Sequence, residues 1–400
     1  MKRSFVIFVL LIAGNVYFAQ SQSWNTKDVE LSNGWQMQSS AEVPTDGHQV
    51  ASMNYNPENW HRANVPGSVL GSLVNDGMYK NIFYHRNLER VPDTPFEVPW
   101  WYRTAFNIDE LHDGQVYRLR FNGISYRADI WLNGKKIASA DTIAGSFRQF
   151  ILNVTPYIKK GKNVLALKIS QAKPGDLNIG FVDWNPEPPD KNMGIWRTVH
   201  LLESGPVSVT YPFVRTAVDT ATLQHARITL GMILQNHSPK TVNGNLTISI
   251  GNTIHLSKKV SLPPNEKTQV ILTPEEYAAL NVDHPKLWWT HELGKPNLYE
   301  LSINYDIDGK LSATKNMKFG IRQVSSYLDA AGWRGFRLNG KKILIKGGGW
   351  TDPMLLNPTP AEIKAGVDYA VHMNLNTLRM EGFWGENQEI YNLCDEKGIL

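Results

Sequence analysis

The sequence predicts a multi-domain chain that begins as β-sheet and ends as α/β. Three observations predict it. The 400 residues exceed one ordinary domain, and length alone suggests about two to four. Residues 24 to 325 carry strand-length apolar or alternating runs separated by Asn-Gly and Asp-Gly turns, with no long helical period. From residue 326 onward the pattern changes to strand, helix, strand, helix, strand. Thirteen Trp, fifteen Tyr and fourteen Phe, together with 31 Gly and 22 Pro, suit strands and turns and exclude global disorder.

Residues 1–20 read as an export signal: Lys2-Arg3, the apolar run Phe5 to Ala13, then small residues near Ala19. The run is shorter than the roughly 20 residues a spanning helix needs, so a periplasmic or extracellular protein with no membrane contact after cleavage is expected. Lys and Arg exceed Asp and Glu by 41 − 37 = 4, and two of those cations lie in the signal. The near-neutral remainder gives no footprint for nucleic acid or an anionic membrane. Cys394 is the single cysteine, which excludes an intramolecular disulfide framework and a cysteine zinc cluster.

Residues 21–205 form the first zone. Trp100 to Ile108, Val116 to Phe121, Ala128 to Leu132 and Val164 to Ile169 have strand length and strand patterning. Asp113-Gly114, Asn122-Gly123 and Asn133-Gly134 supply the positive-φ positions of tight turns. A sandwich or jelly roll is expected, with one short helix within Gly67 to Asp76, before the aromatic stretch Tyr79 to His85. Residues 206–325 repeat the grammar in Ala226 to Leu234, Gly244 to Ile250 and Tyr299 to Asp306. An immunoglobulin-like sandwich serving as a spacer fits.

In residues 326–400, Lys342 to Lys346 reads as a short buried strand, followed by the loop Gly347-Gly348-Gly349-Trp350. Thr359-Pro360-Ala361-Glu362 has the form of a capping box with Pro at the first helical position. Leu375 to Met380 is the next strand, Glu386 to Lys397 a helix ended by Gly398, and Ile399-Leu400 opens a third strand. A doubly wound sheet and an eightfold barrel both begin this way.

The order of zones resembles glycoside hydrolase family 2, the group of β-galactosidases, β-mannosidases and exo-β-glucosaminidases. The resemblance is carried by Trp100-Trp101-Tyr102-Arg103, Val65-Pro66-Gly67, Asn75-Asp76-Gly77, Phe181-Val182-Asp183-Trp184 with Gly194-Ile195-Trp196-Arg197, Asn339-Gly340-Lys341 and Asn374 to Gly382. It implies a jelly roll, an immunoglobulin-like sandwich and the start of a catalytic (β/α)8 (TIM) barrel. It also implies a retaining β-glycosidase, which needs two carboxylates about 5–5.5 Å apart. In the family both glutamates sit on later barrel strands, so the chain is expected to be the N-terminal portion of a longer enzyme, inactive alone. No cofactor is expected.

Barrel sites lie at the C-terminal ends of strands, which selects Trp350 and Asp352 after the first strand and Arg379 and Glu381 after the second. The resemblance gives Arg379 the support of the nucleophile, and it places Asp183 and Trp184 as a pair reaching from the jelly roll to the sugar. Trp350 stacks on a sugar or packs; Asp352 binds ligand or opens a turn. Glu381 puts a carboxylate where β-mannosidase-like members of the family carry the aromatic residue of an Arg-x-Trp-Gly sequence, and the natural complement of that carboxylate is an amino sugar; its bland alternative is a pair with Arg379 or a neighbouring lysine. The expected partner is an oligo- or polysaccharide, best a chitosan-type chain with β-linked glucosamine. A β-mannoside substrate and a non-catalytic carbohydrate-binding protein are the alternatives. No phosphate loop, HxxxH pair or Gly-x-Ser-x-Gly elbow occurs.

Overall fold

A computed structural model describes residues 24–179, 186–356, 358–380 and 388–400; the expected signal segment lies outside them. The first unit is a sandwich of two antiparallel sheets. One has the order Lys27–Glu30, Val199–Ser204, Val116–Phe121, Phe150–Asn153, and the other the order His61–Arg62, Gln36–Ser39, Trp100–Ile108, Gly161–Ser170, Arg127–Leu132, Lys135–Ala138. In Val116–Phe121 the alternation sends Tyr117, Leu119 and Phe121 into the core between the sheets, where Trp35, Met37, Tyr102 and Leu167 meet them. Two short helices decorate this unit: α1 (Gly47–Val50) and α2 (Val69–Asn75), the helix expected before the aromatic stretch.

The second sandwich pairs Val207–Val218, His225–Asn236 and Lys267–Leu272 in one sheet. Ile254–Leu262, Val242–Ile250, Tyr299–Ile307 and Lys310–Phe319 make the other. Its separate core is aliphatic, built on Ile228, Leu230, Leu234, Ile248 and Ile303 around the buried ring of Tyr305.

Beyond residue 323 the two helices and the second strand appear near their expected places, the first strand is shifted, and Ile399-Leu400 is not part of a strand. Lys341–Ile343 is the last strand of a three-stranded antiparallel sheet with Val324–Leu328 and Arg334–Leu338, and Leu344 beside it is 75% exposed. The buried strand expected at Lys342 to Lys346 is therefore displaced. The glycine run itself, Gly347–Trp350, is the strand that pairs in parallel with Thr377–Met380. The reason is steric: a Cβ on Gly347 would sit 2.2 Å from the Thr377 carbonyl oxygen, so only glycine allows that approach. Helix α3 (Pro360–His372) starts with the complete Thr359/Glu362 capping box, and α4 (Gln388–Lys397) follows. The chain turns at Gly398 (φ 74°). Leu400 then bonds on both sides of Thr377, donating to Asn376 O and accepting from Leu378 N at 2.8 Å each.

Candidate functional site

The parallel register sets Trp350 opposite Met380 and Gly349 opposite Arg379. The first-strand and second-strand candidates thus share one end of the pair. The Trp350 indole is partly buried and seated on Gly366 of α3, where a Cβ would lie 2.6 Å from the ring. Packing with Ile363, Val367 and Ile390 occupies that ring. Asp352 follows, half-buried, on the wall of a groove. Arg379 is exposed at the strand end. Asp183, Trp184 and Glu381 lie outside the described residues.

Helix α2 joins this end to the first sandwich. Ser68 caps it, accepting from Gly71 N at 3.1 Å. The fully buried Asp190 adds a second cap from a distant loop: one carboxylate oxygen accepts from Leu70 N at 2.7 Å, the other from Asn192 N at 2.9 Å. Burial pushes its carboxyl up to about 6, against the lowering effect of the bonds from Leu70, Ser68 and Asn192. The backbone completes the seam, with Val69 N donating to Met193 O at 2.7 Å and Gly67 N to Ile195 O at 2.8 Å. Gly194 is needed there, because a Cβ would meet Gly67 O at 2.7 Å and the Tyr102 hydroxyl at 2.8 Å. On the side of α2, Leu355 from the loop after Gly347–Trp350 enters the core of the first sandwich, with a left-handed φ of 69°. The loop that holds Asp190 and the loop that holds Asp352 are therefore anchored on one seven-residue helix.

The opposite end of the parallel pair rests on the second sandwich. Asn376, fully buried, donates to Glu292 Oε1 at 2.6 Å and Leu344 O at 2.8 Å, and its Oδ1 accepts from Lys346 N at 2.9 Å. Lys346 pairs with Glu292. His291 bonds Leu375 O at 2.8 Å, and Trp288 Nε1 donates to Asp395 O at 2.7 Å.

Between the three parts runs a groove of about 1760 Å³, walled by Trp60, Asp76, Asn122, Trp196, Tyr211 and Asp352 among others. Its floor contains the contact between the sandwiches. Burial would raise the Asp28 carboxyl, but the bond from His200 at 2.7 Å and the charges of Arg120 and Lys315 hold it well below the usual carboxylate range. The buried Arg118 donates to Ser208 Oγ at 3.0 Å, which lies 2.9 Å from His237 Nε2. Burial, with Arg118 and Lys267 nearby, pushes His237 down to about 4, so the ring is neutral at pH 7. Sequence reading missed Asp190, Asn376 and this junction. The one signal present was the alternation in Val116–Phe121, which puts Arg118 and Arg120 on the outer face.

Two family models cover both sandwiches: the glycosyl hydrolase 2 galactose-binding domain-like model at residues 35–177 and the glycosyl hydrolases family 2 model at residues 207–322. The chain belongs to glycosyl hydrolase family 2. Within the family it is 33% identical, over 92% of its length, to an exo-β-D-glucosaminidase of Streptomyces avermitilis, of which it covers 40%. It is 30% identical, over 92% of its length, to a mannosylglycoprotein endo-β-mannosidase of Lilium longiflorum, of which it covers 42%. Among solved structures, the exo-chitosanase of Amycolatopsis orientalis in complex with PNP-β-D-glucosamine superposes with a TM-score of 0.86 at 31% identity. That match covers 94% of this chain and 43% of the other. The chain spans about two fifths of the length of these family 2 relatives.

Proposed function

We propose that this chain is the N-terminal portion of an exported, exo-acting retaining β-glycosidase that releases β-linked glucosamine from chitosan-type chains. The observation that carries the proposal is the match over 92% of the chain to an exo-β-D-glucosaminidase. In this reading the parallel pair with α3 and α4 makes the first units of a (β/α)8 barrel. The acid and nucleophile glutamates come from later strands of the longer protein. Arg379 supports the nucleophile, and Asp183, Trp184 and Asp352 contact the terminal sugar.

Glu381 reads the amine. A carboxylate against a desolvated ammonium is worth roughly 1.5–3 kcal/mol, about tenfold to a hundredfold in preference over a neutral sugar. The β-mannoside reading draws on the 30% identity to the lily endo-β-mannosidase. The test is the purified full-length protein and its Glu381→Gln variant on glucosamine oligosaccharides and β-mannosides. Hydrolysis of glucosaminides that falls steeply in the variant supports the proposal. A wild-type preference for β-mannosides overturns it.

A further inference from the structure

The aromatic stretch beyond α2 has no role in the site just described, yet it is built rather than loose. Ile82 is 3% exposed and anchored in the core of the first sandwich. Tyr84 N donates to Asn81 O at 3.0 Å, Asn87 N to Tyr84 O at 3.2 Å, and the Asn87 amide returns to Asn81 O at 2.9 Å. Two successive turns are thus closed on themselves, and between them Phe83 and Tyr84 stand 63% and 74% exposed. The His85 ring lies 6.4 Å from the Tyr84 ring. Two large rings presented side by side on a closed turn form a small apolar surface that a ligand can cover.

Charge does not supply the attraction: Asp76 and Glu89 balance Lys80 and Arg86 across residues 76–89. The surface is aromatic with polar tips, the chemistry that meets a pyranose, whose C–H face is apolar and whose rim carries hydroxyls. Its place is equally specific. The stretch leaves the C-terminal end of α2, the helix that anchors both the Asp190 and the Asp352 loops, and it starts at Asp76, which lines the same groove as Asp352.

We infer that Phe83 and Tyr84 form a stacking platform for sugar units beyond the terminal one, so that the protein prefers a chain over a single glycoside. The inference rests on the glycosidase reading above and adds a chain-length dependence to it. Stacked rings favour binding without entering the chemistry, so the effect falls on KM and not on kcat.

The experiment uses the full-length protein with Phe83→Ala, Tyr84→Ala and Tyr84→Trp. The substrates are a tetramer of β-linked glucosamine and p-nitrophenyl β-glucosaminide. Each alanine variant should raise KM for the tetramer about tenfold, leave kcat unchanged, and leave both constants for the aryl glycoside unchanged. Tyr84→Trp should restore the tetramer KM. Equal losses on both substrates, or no loss on either, overturn the platform. If the wild type hydrolyses neither substrate, the glycosidase reading fails. Calorimetric titration of the tetramer then reads the platform alone, and a Kd that is unmeasurable in the wild type, or the same in wild type and alanine variants, overturns it.

Discussion

The two ends of the parallel pair Gly347–Trp350 and Thr377–Met380 are held by different chemistry. At the N-terminal end the second sandwich meets it with directional bonds, centred on Asn376, Glu292, Lys346 and His291. At the C-terminal end the first sandwich meets it with an apolar anchor, Leu355, and through α2 with a buried acid on a loop. The first arrangement fixes position to within a hydrogen bond. The second holds loops in place while leaving their far ends free to vary, and loops set on a rigid scaffold are where binding and catalytic residues concentrate.

The largest test of that contrast is Asn376→Ala, which removes a fully buried side chain and three hydrogen bonds, leaving Lys346 N and Leu344 O without this partner and Glu292 with Lys346 alone. A loss of about 3 kcal/mol or more in urea unfolding is expected, with the change confined to residues after 340 in hydrogen exchange. Leu355→Ala should cost about 2–3 kcal/mol while leaving exchange around Asn376 unchanged. If both variants loosen both ends, the two anchorages are one cooperative unit.

Protonation separates two further contacts. His237 lies below its ordinary 6.5 in the fold, so its contribution is complete above pH 6.5 and is lost as pH falls toward 4. At about 1.4 kcal/mol per pKa unit, this junction weakens by roughly 3 kcal/mol over that window. Asp190 has the opposite sign: raised from 3.8 to about 6, it contributes most below pH 3.8 and loses that contribution as pH rises through 6. Thermal melts should show His237→Asn gaining on the wild type as pH drops from 7 to 4.5, and Asp190→Asn losing ground over the same range. Parallel trends in the two variants would mean that these residues do not set the pH response. The smallest effect belongs to Lys318→Ala, whose exposed pair with Glu396 at 3.1 Å should change stability by less than about 0.5 kcal/mol.

What could be read from the sequence follows the same division. Trp100–Ile108 and Val116–Phe121 have the bounds their patterning predicts, because an antiparallel sandwich strand carries its burial in its own alternation. The Thr359 capping box is likewise local. The strand at Gly347–Trp350 was hidden because the demand for glycine comes from Thr377, thirty residues away in the chain. The apolar run at Lys342 to Lys346 misled for the matching reason: nothing local says that Leu344 faces outward. Of the candidate site, the shared end of Trp350 and Arg379 was legible from the βα pattern. The double capping of α2 by Ser68 and Asp190 was not, since it joins residues 120 positions apart.

Beside the side-chain contacts of Asn376 and Lys346, the second sandwich also holds the main chain of the last segment. Trp288 donates to the carbonyl of residue 395, His291 bonds the carbonyl of residue 375, and His291 N donates to the carbonyl of residue 398 at 3.0 Å. A carbonyl is the same on every residue. Positions 375 and 395 can therefore drift in identity without loss of the joint, while Gly398 cannot, because a Cβ there would stand 2.6 Å from His291 N. The joint is therefore part generic and part specific: the carbonyl contacts ask only for the right backbone shape, Asn376 and Lys346 add side-chain contacts to Glu292, and one glycine is the key that lets the segment seat.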